Sequence, residues 1–444
     1  MEDESVHAYR RPAGALPVPS ALDLPDRGRH FSADSMRRRV RVMFIVAPPT
    51  SSPAISVHAN LMRFLDRDRV EVHALYNALA AGEPYRSAEN SVLNVLPRDP
   101  DVHLRPTGFG PVRGAGRRGL ASAAAAAAWP GLRDIAGQVN YIRRHRIDII
   151  HTEEGTRNGF YALLLSRLTS AKLVLHFHAQ YGSWLSAPAR LAVTRAQAVI
   201  AVSSWTGRGI HTGGVPRERI FPVLNGIDVS RWDPASVDGD SVRREFGVGP
   251  DDPLVVMVAQ LTEWKRQTTL VEAFRRVVVA HPQARLLLVG KPGLASDAPG
   301  RLPYLEQLRR LVAESGLEQN VTFTGQRRDV PQILAAADIF SLPSVGEPFG
   351  LAHIEAMAMA TPITAVRAGG VPEVVQDGET GLLSPPEDSE QLGANLIALI
   401  EAPARRREMG QAGRRRVREY FHAKRMADEV EGVYRWTMNS TSCP

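Results

Sequence analysis

The sequence predicts an α/β protein made of two successive parallel-sheet domains facing each other across a cleft. Three features carry that expectation. At 444 residues the chain exceeds what a single hydrophobic core ordinarily serves. Short β-branched runs alternate with stretches of helical period, the pattern of a parallel sheet covered by helices on both faces. The alternation pauses near residue 230 and then restarts, so there are two such sheets.

Residues 1–37 are rich in Pro, Arg, Asp and Ser without apolar periodicity and read as a flexible tail. Strands are expected at 40–47, 70–76, 147–152, 172–178 and 198–203, with helix-period stretches at 56–65 and 159–168 between them. The turn-rich N-G-I-D-V-S-R-W-D-P (225–234) closes this first domain, 38–229. A second domain, 230–413, restarts with strands at 253–261, 284–290, 320–325, 338–343 and 361–366. The segment 414–444 is read as a C-terminal helix returning to the first domain, its helical stretch running over about 414–437. Two such Rossmann-like halves place a ligand cleft between the carboxyl ends of their strands.

Composition narrows the chemistry. The single cysteine, Cys443, excludes a disulfide scaffold, a thiolate zinc site and a cysteine nucleophile. The start M-E-D-E-S has no secretory pattern and no apolar run approaches membrane-spanning length, so a cytoplasmic protein is expected. Net charge is +7, which suits an anionic partner. Only four of the 54 basic residues are lysines (Lys172, Lys265, Lys291, Lys424), and a compact ammonium binds phosphate in a way arginine does not copy.

The densest constellation is S-V-G-E-P-F-G-L-A-H-I-E-A-M-A-M-A (344–360). Glu347 ends a loop after a strand, Pro348, Phe349 and Gly350 turn the chain, and a helix begins at Leu351. Free amides at such a helix start suit a pyrophosphate. Glu355 then falls among Ala, Met, Leu and Ile, where a carboxylate is costly unless hydroxyl donors reach it. A bare E-x7-E is ordinarily a loop residue and a solvated helix residue; its neighbours reverse that reading here.

E-P-F-G-L-x-x-I-E-A-M-A, with G-G-V-P-E-V-V (369–375) and D-G-E-T-G-L-L-S-P-P-E-D (377–388), resembles glycosyltransferase family 4 (group 1), retaining enzymes of the GT-B fold. The likeness is dense over 250–400 and looser over 40–230. It implies that Glu347 contacts the donor sugar, that Glu355 contacts the nucleotide ribose, and that Phe349–Leu351 offer amides to sugar or phosphate. It implies an Arg–Lys pair on the donor pyrophosphate. Lys265 matches the second position, but Gln260 stands where the arginine is expected, and an amide carries no countercharge. His178, at a strand's carboxyl end, stands where the family often has a histidine near the donor sugar, with a structural role the equal alternative. His176 is assigned by strand alternation to the opposite face, and His151 and His353 are read as structural. Where relatives have a Gly-rich loop, this chain has A-P-P-T-S-S-P-A-I-S (47–56), so the acceptor side departs from the family pattern.

Several other matches are set aside. G-A-G-R-R-G (114–119) follows no strand, no P-loop is present, and D-x-D at 66–68, 99–101 and 238–240 sits in polar turns. With no clustered His or Cys ligands either, no metal site is expected. Arginine clusters at Arg113, Arg117, Arg118, Arg143, Arg144 and Arg146, and at Arg405–Arg407 with Arg414–Arg416, read as solvated faces, with peripheral contact to the inner face of a membrane as the rival reading.

The expectation is therefore a metal-independent retaining hexosyltransferase using a nucleotide diphosphate sugar, a UDP-sugar by preference. It needs no cofactor, does not engage nucleic acid, and acts on a small-molecule, glycan or lipid-linked acceptor hydroxyl. Rival readings are a GT-B nucleotide-sugar epimerase and a non-catalytic sugar- or nucleotide-binding descendant of a transferase.

Overall fold

The computed structural model describes residues 38–46, 53–77, 99–107, 133–153, 156–293 and 303–440. The expected tail, the loop 47–52, the 114–119 match, Arg113, Arg117, Arg118 and Cys443 lie outside the described residues. The first sheet contains β1 (Val40–Val46), β2 (Val70–Asn77), β3 (Val102–Thr107), β4 (Ile149–Glu153), β5 (Lys172–Phe177), β6 (Ala198–Ala201) and β7 (Ile220–Pro222), all parallel, in the order β3-β2-β1-β4-β5-β6-β7. The second contains β8 (Leu254–Val258), β9 (Arg285–Val289), β10 (Val321–Gly325), β11 (Ile339–Leu342), β12 (Ile363–Val366) and β13 (Gly381–Ser384), in the order β10-β9-β8-β11-β12-β13. Strand order reverses between β1 and β4 and again between β8 and β11, and a crevice opens at each reversal.

Three strands escape the sequence reading: β3, β7 and β13. Each is an outer strand. β3 contains Pro106 and leaves His103 and Leu104 exposed, which only an edge tolerates, while β7 has three residues and β13 begins with Gly381. The helical stretch read over 414–437 is in fact two helices, Pro403–Tyr420 and Ala423–Asn439. The break falls at Phe421 and His422, whose backbones leave the helical region (φ −128°, ψ 26° and φ −88°, ψ 147°), where the Ile227 segment pairs with the chain. Pro403–Tyr420 packs on the helix Leu351–Ala358. Ala423–Asn439 buries Met426, Val430, Val433 and Tyr434 against β5, β6 and the helix Pro53–Phe64.

The chain thus crosses between the sheets twice, at 223–238 and at 421–423, and the crossings are strapped together. The Ile227 amide donates to the Phe421 carbonyl and the Ala423 amide donates to the Ile227 carbonyl, both at 2.9 Å. At the far end of the returning helix Lys172 donates to the carbonyls of Thr437, Met438 and Ser440, so this scarce lysine satisfies a helix C-terminus.

The strap leaves no room at Gly226, where a Cβ would lie 2.6 Å from the His422 carbonyl oxygen and 2.9 Å from Ala423 Cα. Gly226→Ala is expected to destabilise the protein by about 1–3 kcal/mol, as overpacking against backbone does. Urea denaturation monitored by circular dichroism measures it, and an unchanged midpoint would mean that the crossings are not in this contact.

Candidate active site

The crevice between β8 and β11 is built by the two loops that leave those strands. The Val345 amide donates to the Trp264 carbonyl at 3.2 Å, tying one loop to the other. Lys265 ends a 3-10 turn, Glu263–Lys265, and its Nζ lies 2.6 Å from Glu347 Oε2. Ser344 Oγ donates to the same oxygen at 2.9 Å, and the ammonium stands 3.8 Å above the Trp264 ring. Both charged side chains are nearly withdrawn from water, at 13% and 10% exposure. Burial alone would push the Glu347 carboxyl up, but the Lys265 charge and its hydrogen bond outweigh this and hold it below the ordinary carboxylate value.

Glycine shapes the loop. Gly350 adopts φ 101°, and a Cβ there would sit 2.3 Å from His353 Nδ1. Gly369, at φ 64°, leaves only room for hydrogen beneath the Glu347 backbone, whose carbonyl also accepts from the Gly370 amide at 2.8 Å. The helix Leu351–Ala358 then starts at Gly350 with no side-chain cap, so its first amides point at the crevice.

Glu355 projects from this helix, partly buried. Burial pushes its carboxyl up to about 7, opposed by the positive field of Arg231 from the crossing segment. Gln260 lies exposed at the end of β8, and its carbonyl accepts from Gln267 Nε2 at 3.0 Å. Pro348 reaches the other domain, its carbonyl accepting from Ser203 Oγ at 2.6 Å, while Phe349 packs edge-on to Phe421 within the second domain's core. Leu351 touches the cores of both domains.

His178 sits at the end of β5, on the first sheet. Its neighbours correct one expectation, because residues two apart in a strand share a face. His176 lies beside it, with ring centroids 4.2 Å apart, and His58 from the helix Pro53–Phe64 approaches His178 with its Nε2 3.3 Å from His178 Nε2. Burial lowers the pKa of all three rings, so they are neutral at physiological pH. His151 hydrogen-bonds the buried Tyr434 hydroxyl at 2.7 Å, and His353 is buried under Gly350.

The absence of clustered ligands, expected from spacing along the chain, does not hold in three dimensions. His58, His176 and His178 bring ring nitrogens within 4.8 Å of one another, and so do the donor atoms of Glu71, His73 and His103. The three D-x-D pairs instead serve local turns: Asp66 accepts from the Asp68 amide, Asp99 from Asp101 and Asp238 from Ser241. The second arginine cluster is not simply a solvated face. Arg406 bonds two carbonyls and Asp338, Arg414 pairs with Asp233, and Arg416 holds the carbonyls of Glu373 and Val374.

Ser344, Trp264 and Arg231 escaped the sequence reading, because none belongs to a spacing pattern. Glu373 did too: its carboxylate accepts from the Ser204 and Trp205 amides at 2.8 and 2.9 Å, capping a first-domain helix from the second domain. Glu153, at the carboxyl end of β4, is raised to about 7 by burial, against an Asn158 hydrogen bond, and its position at a strand end was the available signal.

Two family descriptions match this chain: Glycosyltransferase Family 4 over residues 56–231 and Glycosyl transferases group 1 over 238–416. The alpha-maltose-1-phosphate synthase of Mycolicibacterium smegmatis is 35% identical over 58% of this chain and 66% of its own length, just under two thirds. The N-acetyl-alpha-D-glucosaminyl L-malate synthase of Bacillus anthracis is 28% identical over 66% of this chain and 75% of its own. Among solved structures, Anabaena Alr3699/HepE in complex with UDP and glucose superposes with a TM-score of 0.70 at 22% identity, covering 89% of this chain and all of that one. Sucrose-phosphate synthase from Thermosynechococcus elongatus gives 0.69 at 22%, covering 90% and 99%. These likenesses show the GT-B fold.

The raised Glu355 carboxyl sets a pH dependence. Its folded pKa lies above the unfolded value of 4.5, so its ionisation favours unfolding, and stability is lost as pH rises from about 4.5 through about 7. The full cost above pH 7 is roughly 3 kcal/mol. Glu355→Gln is therefore expected to gain melting temperature over the unsubstituted protein between pH 5 and pH 8. Parallel melting curves across that range would show that the carboxylate is not buried uncompensated.

Proposed function

The chain belongs to the family 4, group 1 glycosyltransferases, and from that premise we propose that it transfers a hexose-type sugar, with retention and without a catalytic metal, from a UDP-sugar to an acceptor hydroxyl. The observation that carries this reading is the buried Lys265–Glu347 pair facing an uncapped helix start at the β8/β11 reversal. A cation, a carboxylate and free amides within one crevice match the needs of a sugar diphosphate: countercharge for phosphate and an acceptor for sugar hydroxyls. The complexes of HepE with UDP and UDP-glucose support the choice of uridine.

The residues divide the work as follows. As the bond from the anomeric carbon to the diphosphate oxygen breaks, charge collects on the leaving group, where Lys265 and the amides of Gly350 and Leu351 stabilise it. Glu347 accepts hydrogen bonds from the sugar and Glu355 from the ribose. Neutral His178 faces the sugar from the other sheet as a hydrogen-bonding group, not as a cation. The acceptor hydroxyl attacks from the face the leaving group vacates, and its proton passes to a phosphate oxygen. The local duties of all three D-x-D pairs support the reading of metal independence. Incubating the protein with UDP-glucose and other UDP-sugars, with and without candidate acceptors and EDTA, tests the whole reading. Acceptor-dependent UDP release that survives EDTA is expected. Epimerised sugar without acceptor favours the epimerase, binding without turnover favours the binding protein, and loss in EDTA restored by manganese overturns metal independence.

Lys265→Ala should weaken UDP binding about ten- to a hundredfold, the loss of one charge-assisted contact of about 1.5–3 kcal/mol. It also strands a buried carboxylate, so stability falls as well. Lys265→Ala combined with Glu347→Gln is expected to recover stability but not affinity, read by melting temperature and isothermal titration. Recovery of both would place the phosphate elsewhere.

A further inference from the structure

The end of the first sheet opposite the cleft carries a side-chain cluster that the transfer reaction does not use. Glu71 and His73 lie in the amino-terminal half of β2, and His103 is the register partner of His73 on β3. His73 Nε2 is 3.0 Å from Glu71 Oε1, and His103 Nε2 is 3.9 Å from the same oxygen. The helix spanning 133–144 and the residues after it cover the group. Tyr141 OH lies 2.8 Å from His73 Nδ1, and the His145 ring stands 5.5 Å from that of His73. Arg41 Nε holds the other carboxylate oxygen of Glu71 at 3.3 Å.

We propose that Glu71 Oε1, His73 Nε2 and His103 Nε2 form a binding site for a borderline-soft divalent metal ion, with zinc the best fit. All three donor atoms lie within 4.8 Å of one another. Ligands at about 2.0–2.1 Å from a tetrahedral zinc stand roughly 3.3 Å apart. The separations of 3.0 and 3.9 Å bracket that edge, and the ligand that must close in is His103, whose side chain is 51% exposed and able to swing. Both partners needed outside the ligand shell are already present. Tyr141 fixes the His73 ring through its second nitrogen, and Arg41 orients the carboxylate through its second oxygen, the arrangement that tunes metal-bound histidine. Without a metal the His73 Nε2–H donates to Glu71 Oε1; an ion at Nε2 would take that nitrogen once the ring proton moves to Nδ1, which then donates to the Tyr141 hydroxyl oxygen.

Charge decides which ion. The Glu71 anion is already matched by Arg41, and Arg105 sits 4.4 Å over the Tyr141 ring, so the site offers little attraction to a hard cation held by charge alone. Nitrogen lone pairs suit zinc, copper or nickel and not magnesium or calcium. A hydrogen-bond chain from Glu71 through His73 to Tyr141 is the simpler account of the cluster. It has no use for His103, whereas the metal site cannot form without it.

His103 is therefore the residue to test, being on an outer strand and outside the transfer machinery. Full-length metal-stripped protein, its His103→Ala variant and its Glu71→Gln variant would be titrated with zinc chloride by calorimetry and melted with and without zinc. Wild type is expected to bind zinc and melt higher with it, and to ignore magnesium. Either variant should lose one equivalent or bind it at least tenfold more weakly, while UDP-sugar turnover by His103→Ala stays unchanged. Zinc held by His58, His176 and His178 would persist in both variants as a separate equivalent. Failure of wild type to bind zinc, or equal stoichiometry and affinity in His103→Ala, overturns the proposal.

Discussion

A carboxylate withdrawn almost completely from water must be answered by a cation, and the second domain is arranged around that requirement at Glu347. The answering group, Lys265, comes from the loop after β8, and β8 and β11 are neighbours only because strand order reverses there. Gly369 supplies the floor on which the Glu347 backbone rests, and Gly350 supplies the turn that starts the next helix. The core on either side, Ile339, Phe340, Ile354 and Met357 among others, holds these short elements rigid, so the pair is positioned by strands and a helix and not by loops alone. Remove the cation and the burial of Glu347 becomes a liability.

How the two sheets face each other is a separate problem, solved by two kinds of contact. The crossings at Ile227 and Phe421–Ala423 run side by side with backbone hydrogen bonds, so neither can move alone. Nearer the site, Ser203 and the amides of Ser204 and Trp205 are held by the Pro348 carbonyl and the Glu373 carboxylate. The strap is backbone and permanent in character. The second set is polar and exchangeable, the sort of contact that opens when domains rotate about a hinge.

Much of this was legible in the residues themselves. The inner strands are continuous apolar runs because both faces are covered, so β1, β5, β8 and β9 announce themselves. The outer strands β3, β7 and β13 do not, since an edge tolerates Pro106, a three-residue length or a leading Gly381. Motif spacing placed Glu347, Glu355 and Lys265 near strand and helix ends, but no spacing links Glu373 to Ser204, because those partners meet through the fold. The histidines are the sharpest case. His58 and His178 are 120 residues apart, and Glu71 and His103 are on different strands, so clusters dispersed in sequence become evident only when strands are laid in register.

The charge balance of the proposed donor site also has a consequence for how it must work. An Arg beside Lys265 would meet a diphosphate with two cations, leaving one to spare for Glu347. With Gln260 in that place, a single ammonium serves both the carboxylate and the incoming phosphate. Ser344 is then more than an accessory, since its hydroxyl also donates to Glu347 Oε2 and keeps that oxygen satisfied when Lys265 turns toward the diphosphate. Sugar hydroxyls arriving with the donor supply further hydrogen bonds to the same carboxylate. The Lys265–Glu347 ion pair is in this view one that donor binding redistributes. Its cost is lowest when sugar and diphosphate arrive together, which favours the intact donor over the free nucleotide.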